Sequence, residues 1–312
     1  MTFTTKVKTL FTKKETQNLL SIALRQDAVS YCFSAYKKSP KLNIIPVLDD
    51  NHNSALTNLH NIDDLSANCE LVLSAKHYQI VQVDKPNIPD NELIAALKWQ
   101  IKDLVTFPAD DMVLDYFDGP TLANIEKLNV VCGQKSKLKD MVSCIHKSDL
   151  TLDKITTEEF AFAQLVNGKE GGQLLVCQQP NEEILILIVR DNRLFSYRRL
   201  RGMANIAQRT PDELAMGLID NLSIEIQKSI DFFERQLKQP PVNAINVLLP
   251  IEHEAFVARK LSENTNVPVE LINLPEQYYN ERAFAVVIGS MMSKDKTLVA
   301  KVIEEPIMEP QV

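Results

Sequence analysis

Residues 174–200 read LLVCQQPNEEILILIVRDNRLFSYRRL, which has the grouping of strand, turn, strand, turn, strand. Three apolar runs of strand length are separated by Gln178 to Glu183 in the first gap and by Asp191-Asn192 in the second. The second gap is an ordinary turn. The first is longer and polar, and turns of this kind between two buried strands hold a phosphate in several nucleotide-binding folds. Its composition therefore bears on function as well as on fold.

The start of the chain has the same grouping. Within 17–48, LLSIAL, a turn at Arg25-Gln26-Asp27, AVSYCFSAY and LNIIPVL predict a second antiparallel meander. Each meander is followed by alternating helices and strands. After the first come short helical pieces in 49–70 and strand character over 70–86 with a turn near Ala75-Lys76. The spacing predicts a helix over 88–108, with Asp90 as N-cap and Leu93, Ile94, Leu97, Ile101, Leu104 and Val105 on its apolar face. Strands over 112–117 and 127–134, a helix over 136–149, a strand over 151–155 and a short helix over 156–166 follow. After the second meander a helix is predicted over 211–238, with a capping box of Thr210 and Glu213 and Pro211 in its first turn. Strand 242–250, helix 251–265, strand 267–274 and helix 280–293 complete the half. The reading is a duplicated α/β architecture.

Composition narrows the function. A net charge of −7 argues against a general nucleic-acid binder. No apolar run of 18 residues and no secretory leader is evident, and the five scattered cysteines fit reduced, mostly buried thiols; a cytoplasmic protein is expected. Glycine is scarce, 8 of 312 residues against a usual roughly 7%, which leaves little material for loops that approach a phosphate closely. Residues 1–15 place Phe3, Val7, Leu10 and Phe11 beside four lysines, so this segment is either a basic tail or a peripheral contact with an anionic membrane surface.

No Walker A, GxGxxG, HExxH or GxSxG pattern occurs. His52 and His60 share a stretch with Asp49 and Asp50 but lack ligand spacing, so no metal is expected. Ser143, Cys144 and His146 lie on one predicted helix and do not face one another as nucleophile and base must. Asp110-Asp111 and Glu182-Glu183 read as solvated turn charges rather than a glycosidase pair. No catalytic residue is expected. Trp99, the single tryptophan, lies roughly opposite the apolar stripe of its helix, which suits either a second packing surface or an aromatic anchor for a partner.

PDNELIAALKWQIKDLVTFPADDMVLDYF (89–117), together with YQIVQVDKPNIPD (78–90) and KLNVVCGQKSKL (127–138), resembles the signature of the PilM-like type IV pilus assembly proteins, in particular those of the mannose-sensitive haemagglutinin (MSHA) pilus. The resemblance covers roughly 17–293 and is strongest over 78–135. It implies an actin-like ATPase (ribonuclease H-like) fold of two lobes with a small α/β subdomain inserted in the first. The implied layout is an N-terminal segment 1–16, a first lobe 17–70 plus 150–168, an insert 71–149, a second lobe 169–293 and a loose tail 294–312. In that fold each meander carries a glycine-containing phosphate turn with a metal-organising Asp, and a third turn cradles the adenosine. The matching positions are Ala23, Leu24, Arg25 and Gln26; Cys177, Gln178, Gln179 and Pro180; and Leu249, Pro250 and Ile251. All three turns lack the glycine, both phosphate turns lack the Asp, and Pro180 has no N–H to offer. The resemblance thus implies a non-catalytic cytoplasmic scaffold, a pseudo-ATPase with no cofactor, as in the adaptor-like GspL cytoplasmic domains of type II secretion. Its implied partner is the cytoplasmic tail of a PilN-like inner-membrane protein (MshJ in the MSHA system), linking the assembly platform to its motor ATPase. The implied groove lies between first lobe and insert, with Leu93, Leu97, Trp99, Lys102, Phe107 and Pro108 as candidate lining residues. The alternatives are a working ATP/Mg site built from residues such as Arg25, Gln178 and Gln179, and an oligomeric platform without a peptide partner.

Overall fold

The structure, a computed structural model, describes residues 18–293 apart from 36–37, 63–65 and 149. The expectations for residues 1–15 and for the tail from 294 lie outside the described residues.

Two five-stranded sheets repeat one topology. In the first, β1 (Leu19–Leu24), β2 (Ala28–Ser34), β3 (Lys41–Pro46), β4 (Asn68–Leu73) and β8 (Thr151–Thr157) are ordered β3-β2-β1-β4-β8. In the second, β9 (Gly172–Cys177), β10 (Ile184–Arg190), β11 (Arg193–Leu200), β12 (Val242–Leu248) and β13 (Val269–Leu271) are ordered β11-β10-β9-β12-β13. Each begins as an antiparallel meander and continues with strands parallel to its first. The apolar runs that announce the meanders are buried from end to end in β9 and almost so in β10, because both faces of the sheet are covered.

Between the sheets lie α4 (Glu158–Ala163) and α8 (Ala285–Met292). Every residue of α8 is buried, the mark of a helix with no solvent side. Ala23, Cys32 and Val72 of the first sheet, Leu175, Cys177, Leu185 and Leu187 of the second, and Phe162, Val287, Ile288 and Met291 of the helices share one core. Gly289 lets the two helices meet: a Cβ there would stand 2.1 Å from the carbonyl oxygen of Ala161.

A third, antiparallel sheet, β5-β7-β6, is formed by β5 (Tyr78–Asp84), β6 (Met112–Leu122) and β7 (Ile125–Gln134). Helix α2 (Asp90–Ile101) covers one face through Leu93, Leu97 and Ile101, which pack on Val83, Met112, Leu128 and Val130. Helix α3 (Lys135–His146) turns back to the first lobe and packs beside α1 (His52–Thr57).

Several boundaries differ from the sequence reading. Strand β4 lies wholly in the first sheet, so the chain crosses to the third sheet in the turn at residues 74–77 and not at 71. Helix α2 starts one residue after its cap, which is Pro89 and not Asp90, and ends at Ile101. Leu104, expected on its buried face, therefore lies past the helix and is exposed. The helix expected over 211–238 opens with the capping box at α5 (Pro211–Glu213) but breaks at Met216 and Gly217 (φ 91°) before α6 (Ile219–Asp231). All five cysteines are free thiols, four of them buried.

Candidate functional site

The turns between β1 and β2 and between β9 and β10 meet across the two lobes. Ala23 and Cys177, where the resemblance places the metal-organising acids, are fully buried in the apolar core between the sheets. The N–H of Gln26 donates to Glu182 Oε1 at 2.6 Å, and Asn181 Nδ2 donates to Asp27 Oδ2 at 2.9 Å. Asn181 adopts φ 61°, a left-handed conformation that Asn tolerates. Arg25 is buried and pairs with Asp27 at 3.0 Å. Leu24 ends β1, and the carbonyl of the following Arg25 bonds His52 Nε2 at 2.7 Å, so this histidine serves the turn. Gln178 and Gln179 are buried side chains tied to the protein itself: Gln178 Nε2 donates to the carbonyls of Glu182 and Met203, and Gln179 Nε2 to Glu158. Glu183 accepts the N–H groups of Gly202 and Met203.

The third turn follows the same logic. Leu249 donates its N–H to Glu254 Oε1 at 2.7 Å, and Arg282 bridges that carboxylate at 2.6 Å; Pro250 and Ile251 are half-buried beside it. A phosphate turn binds anions because its backbone N–H groups point at them. Here carboxylates of the chain already accept N–H groups in the first and third turns. Glu182 and Asp27 also place their carboxylates beside the two turns. The readings of Glu182, Glu183 and Asp111 as solvated charges are corrected: Asp111 caps α3 by accepting from Ser136 N and Oγ at 2.8 and 2.6 Å.

Behind the turns, α4 brings Glu158 and Glu159 together, both about 2% exposed, against Arg199 of β11 at 2.7 and 3.0 Å. Tyr78 of β5 donates to Glu159 at 2.6 Å, so first lobe, insert and second lobe meet at one cluster. Burial pushes the Glu158 carboxyl up to about 7 although Arg199 pulls the other way. The folded state therefore holds a proton that the unfolded chain releases near its ordinary 4.5, and stability falls as pH rises from about 4.5 to about 7. Glu158→Gln, which leaves Arg199 its Glu159 partner, is expected to flatten that dependence. One proton carries up to about 1.4 kcal/mol per pH unit, and denaturant melts at pH 5, 6 and 7 would measure the difference.

On the far side of the third sheet from α2 an apolar groove of about 290 Å³ runs between insert and first lobe. It is lined by Val113, Leu114 and Val131 of the third sheet, Leu138 of α3, and Leu73 and Ile155 of the first sheet, with Asp115 as its charged residue. Strands β6 and β8, which flank it, are both the last strands of their sheets. Val113 is 43% exposed and Ile155 36%, so both present apolar surface to the groove. None of the six residues singled out from the sequence lines this groove. Leu93 and Leu97 are in the core under α2 and cannot reach a partner. Trp99 is exposed on the outer side of α2 with the Lys102 ammonium 3.4 Å from its ring centre. Phe107 is half-buried against the same core, and Pro108 is exposed.

No family model and no curated protein matches the sequence. Among solved structures, the chain superposes on one described as a PilM–PilN type IV pilus biogenesis complex with a TM-score of 0.65 and 15% identity, over 92% of this chain and 99% of that one. It also superposes on a Bacteroides thetaiotaomicron protein of actin-like ATPase fold and unknown function, with a TM-score of 0.52 and 10% identity over 87% and 96% of the two chains. The fold is that of the actin-like ATPases. A third similar structure is the cytoplasmic domain of EpsL, an inner-membrane component of the Vibrio cholerae type II secretion system (TM-score 0.49, 12% identity, 79% and 94% covered). At these identities the likeness is one of fold. The groove beside β8 is not lined by any residue of the β1–β2 or β9–β10 turn.

Proposed function

We propose that this chain is a non-catalytic scaffold of type IV pilus biogenesis, of the PilM-like kind and in the position of MshI in the MSHA system. Its nucleotide cleft is latched shut by its own carboxylates, and no ATP or Mg²⁺ enters the function. The observation that carries this reading is the bond from the Gln26 N–H to Glu182, in which the first phosphate turn spends a donor on the opposite lobe. Among the described residues no helix is long and apolar enough to cross a membrane, which suits a protein held at the cytoplasmic face by its partner.

That partner is the cytoplasmic tail of a PilN-like inner-membrane protein, MshJ in this system, through which the assembly platform is tied to its motor ATPase. The similar fold in the PilM–PilN complex supports the pairing, and the apolar groove supplies the place. Two edge strands offer unpaired backbone groups to an extended segment, while Val113, Leu138 and Ile155 take its apolar side chains. Calorimetric titration of the full chain with the partner's cytoplasmic tail peptide should show saturable one-to-one binding. Absence of heat and of competition at millimolar peptide would refute the partner assignment.

A further inference from the structure

Resting on the groove reading above, we propose that Asp115 is the residue by which the groove selects its occupant: the bound segment carries a Lys or Arg two positions from an apolar side chain, and that cation meets Asp115. Strand β6 sets the spacing. Val113 and Asp115 lie two residues apart on one face of β6, whereas Met112 lies on the face that α2 covers. Their register partners in β7 are Gly133 and Val131. Leu138 of α3 lies over Gly133, where an added Cβ would stand 3.2 Å from its Cδ1. The floor of the groove therefore runs from Leu138 over Val113 to Asp115. Beyond Asp115 the same face presents Phe117, which packs edge-on against Phe160 of α4 at 5.0 Å and is not part of the groove lining. Asp115 stands at that end.

Asp115 is exposed and is the one charged residue lining the groove. Its Oδ1 accepts the N–H of Tyr116 at 2.8 Å. Asp118, three residues on, pairs with Arg193 of the second lobe, whereas Asp115 enters no ion pair among the described residues. Tyr78 also lines the groove, but its hydroxyl is already given to Glu159. A lone carboxylate at the rim of an apolar groove repels an acidic side chain and attracts a basic one, so it acts on specificity and association rate more than on raw affinity. A segment laid along the open edge of β6 repeats its side chains on one face every two residues, about 7 Å apart, which is the Val113 to Asp115 spacing. An apolar side chain over Val113 and Leu138 thus places its second neighbour at Asp115. The cytoplasmic flanks of inner-membrane proteins are enriched in Lys and Arg, which is the sign of charge that this groove accepts.

The test sets the full chain beside Asp115→Asn, which keeps the oxygen that accepts from Tyr116 and so preserves the fold. A random nine-residue peptide library is panned on both, counting only peptides that Val113→Asp fails to bind. The parent is expected to recover sequences with Lys or Arg two positions from Leu, Ile, Val or Phe roughly fivefold more often than Asp115→Asn does, the size of a rim ion pair. Asp115→Lys is expected to recover Asp or Glu at that position instead, a reversal that a merely structural role would not produce. Equal basic content in the peptides from parent and Asp115→Asn would overturn the proposal, and so would a parent that recovers no peptide. Titration with the PilN-like tail peptide then separates the two readings. Tail binding that Val113→Asp weakens and Asp115→Asn leaves unchanged keeps the groove and sinks the role of Asp115. A charge-dependent library result with no tail binding keeps that role and sinks the partner.

Discussion

Gly289→Ala should cost about 3 kcal/mol or more of stability, at the upper end of what overpacking inflicts. Helix propensity works in the opposite direction, since alanine is favoured over glycine in a helix interior by at most about 1 kcal/mol. The clash decides the sign. The new Cβ would stand 2.1 Å from the Ala161 carbonyl oxygen, and a backbone atom of helix α4 cannot swing aside as a flexible side chain would. Helices α4 and α8 must then separate, and the core shared by both sheets opens with them. Denaturant unfolding measures the effect, and a midpoint equal to the parent's would show that the two helices are not packed as described. Gly202→Ala is the control: it has φ +82° but nothing within 4 Å, so only backbone strain of about 1 kcal/mol is expected.

The second large effect is on binding. Ile155→Asp and Val113→Asp are each expected to weaken the partner tail peptide about tenfold to a hundredfold, because a bound apolar segment would bury an unpaired carboxylate. Both side chains are more than a third exposed, so the fold should tolerate either change with little loss of stability. Trp99→Ala, by contrast, is expected to leave the affinity unchanged, since α2 covers the opposite face of the insert sheet. If Trp99→Ala abolishes binding and the groove changes do not, the partner sits on α2 and the groove assignment is wrong. Calorimetry on the three variants distinguishes the cases.

The contrast between groove and helix shows how far the amino-acid pattern carries. Both meanders are legible as apolar runs, and their repetition gave the duplicated halves, because central strands covered on both faces leave no polar alternation to confuse the reading. The capping box at Thr210 and Glu213 is legible because it is a local contact three residues long. The break at Met216 and Gly217 is not, since the apolar pattern runs on through it into α6. Resemblance to the PilM-like proteins implies the space between first lobe and insert, yet Leu93, Leu97 and Trp99 lie on α2 and Lys102, Phe107 and Pro108 just beyond it. A helical stripe such as Leu93, Leu97 and Ile101 marks a buried face without saying what covers it, and here the cover is the insert's own sheet. Val113 and Ile155 have no such stripe, and an outward β-branched residue on an edge strand reads like any other strand residue.

The latch was legible only as a loss. Glycines missing from all three turns and acids missing from the two phosphate turns predict weak nucleotide binding, but they do not say what the turns bond instead. Gln26 and Glu182 stand 156 residues apart, and Arg282 reaches Glu254 over 28. No local pattern marks such pairs, and the acids involved look like ordinary turn charges until the lobes are brought together.

The most direct test of the latched cleft is thermal unfolding of the full chain with and without millimolar Mg-ATP and Mg-ADP. A nucleotide present at 100 times its dissociation constant would stabilise the folded state by about 2.7 kcal/mol, or a few degrees in Tm. We expect superimposable curves, because Glu182 already takes an N–H of the first phosphate turn and Glu254 one of the adenosine turn. A Tm raised by several degrees with either nucleotide would mean that the Gln26–Glu182 bond opens to admit it, and the scaffold would then be a working member of the actin-like ATPases.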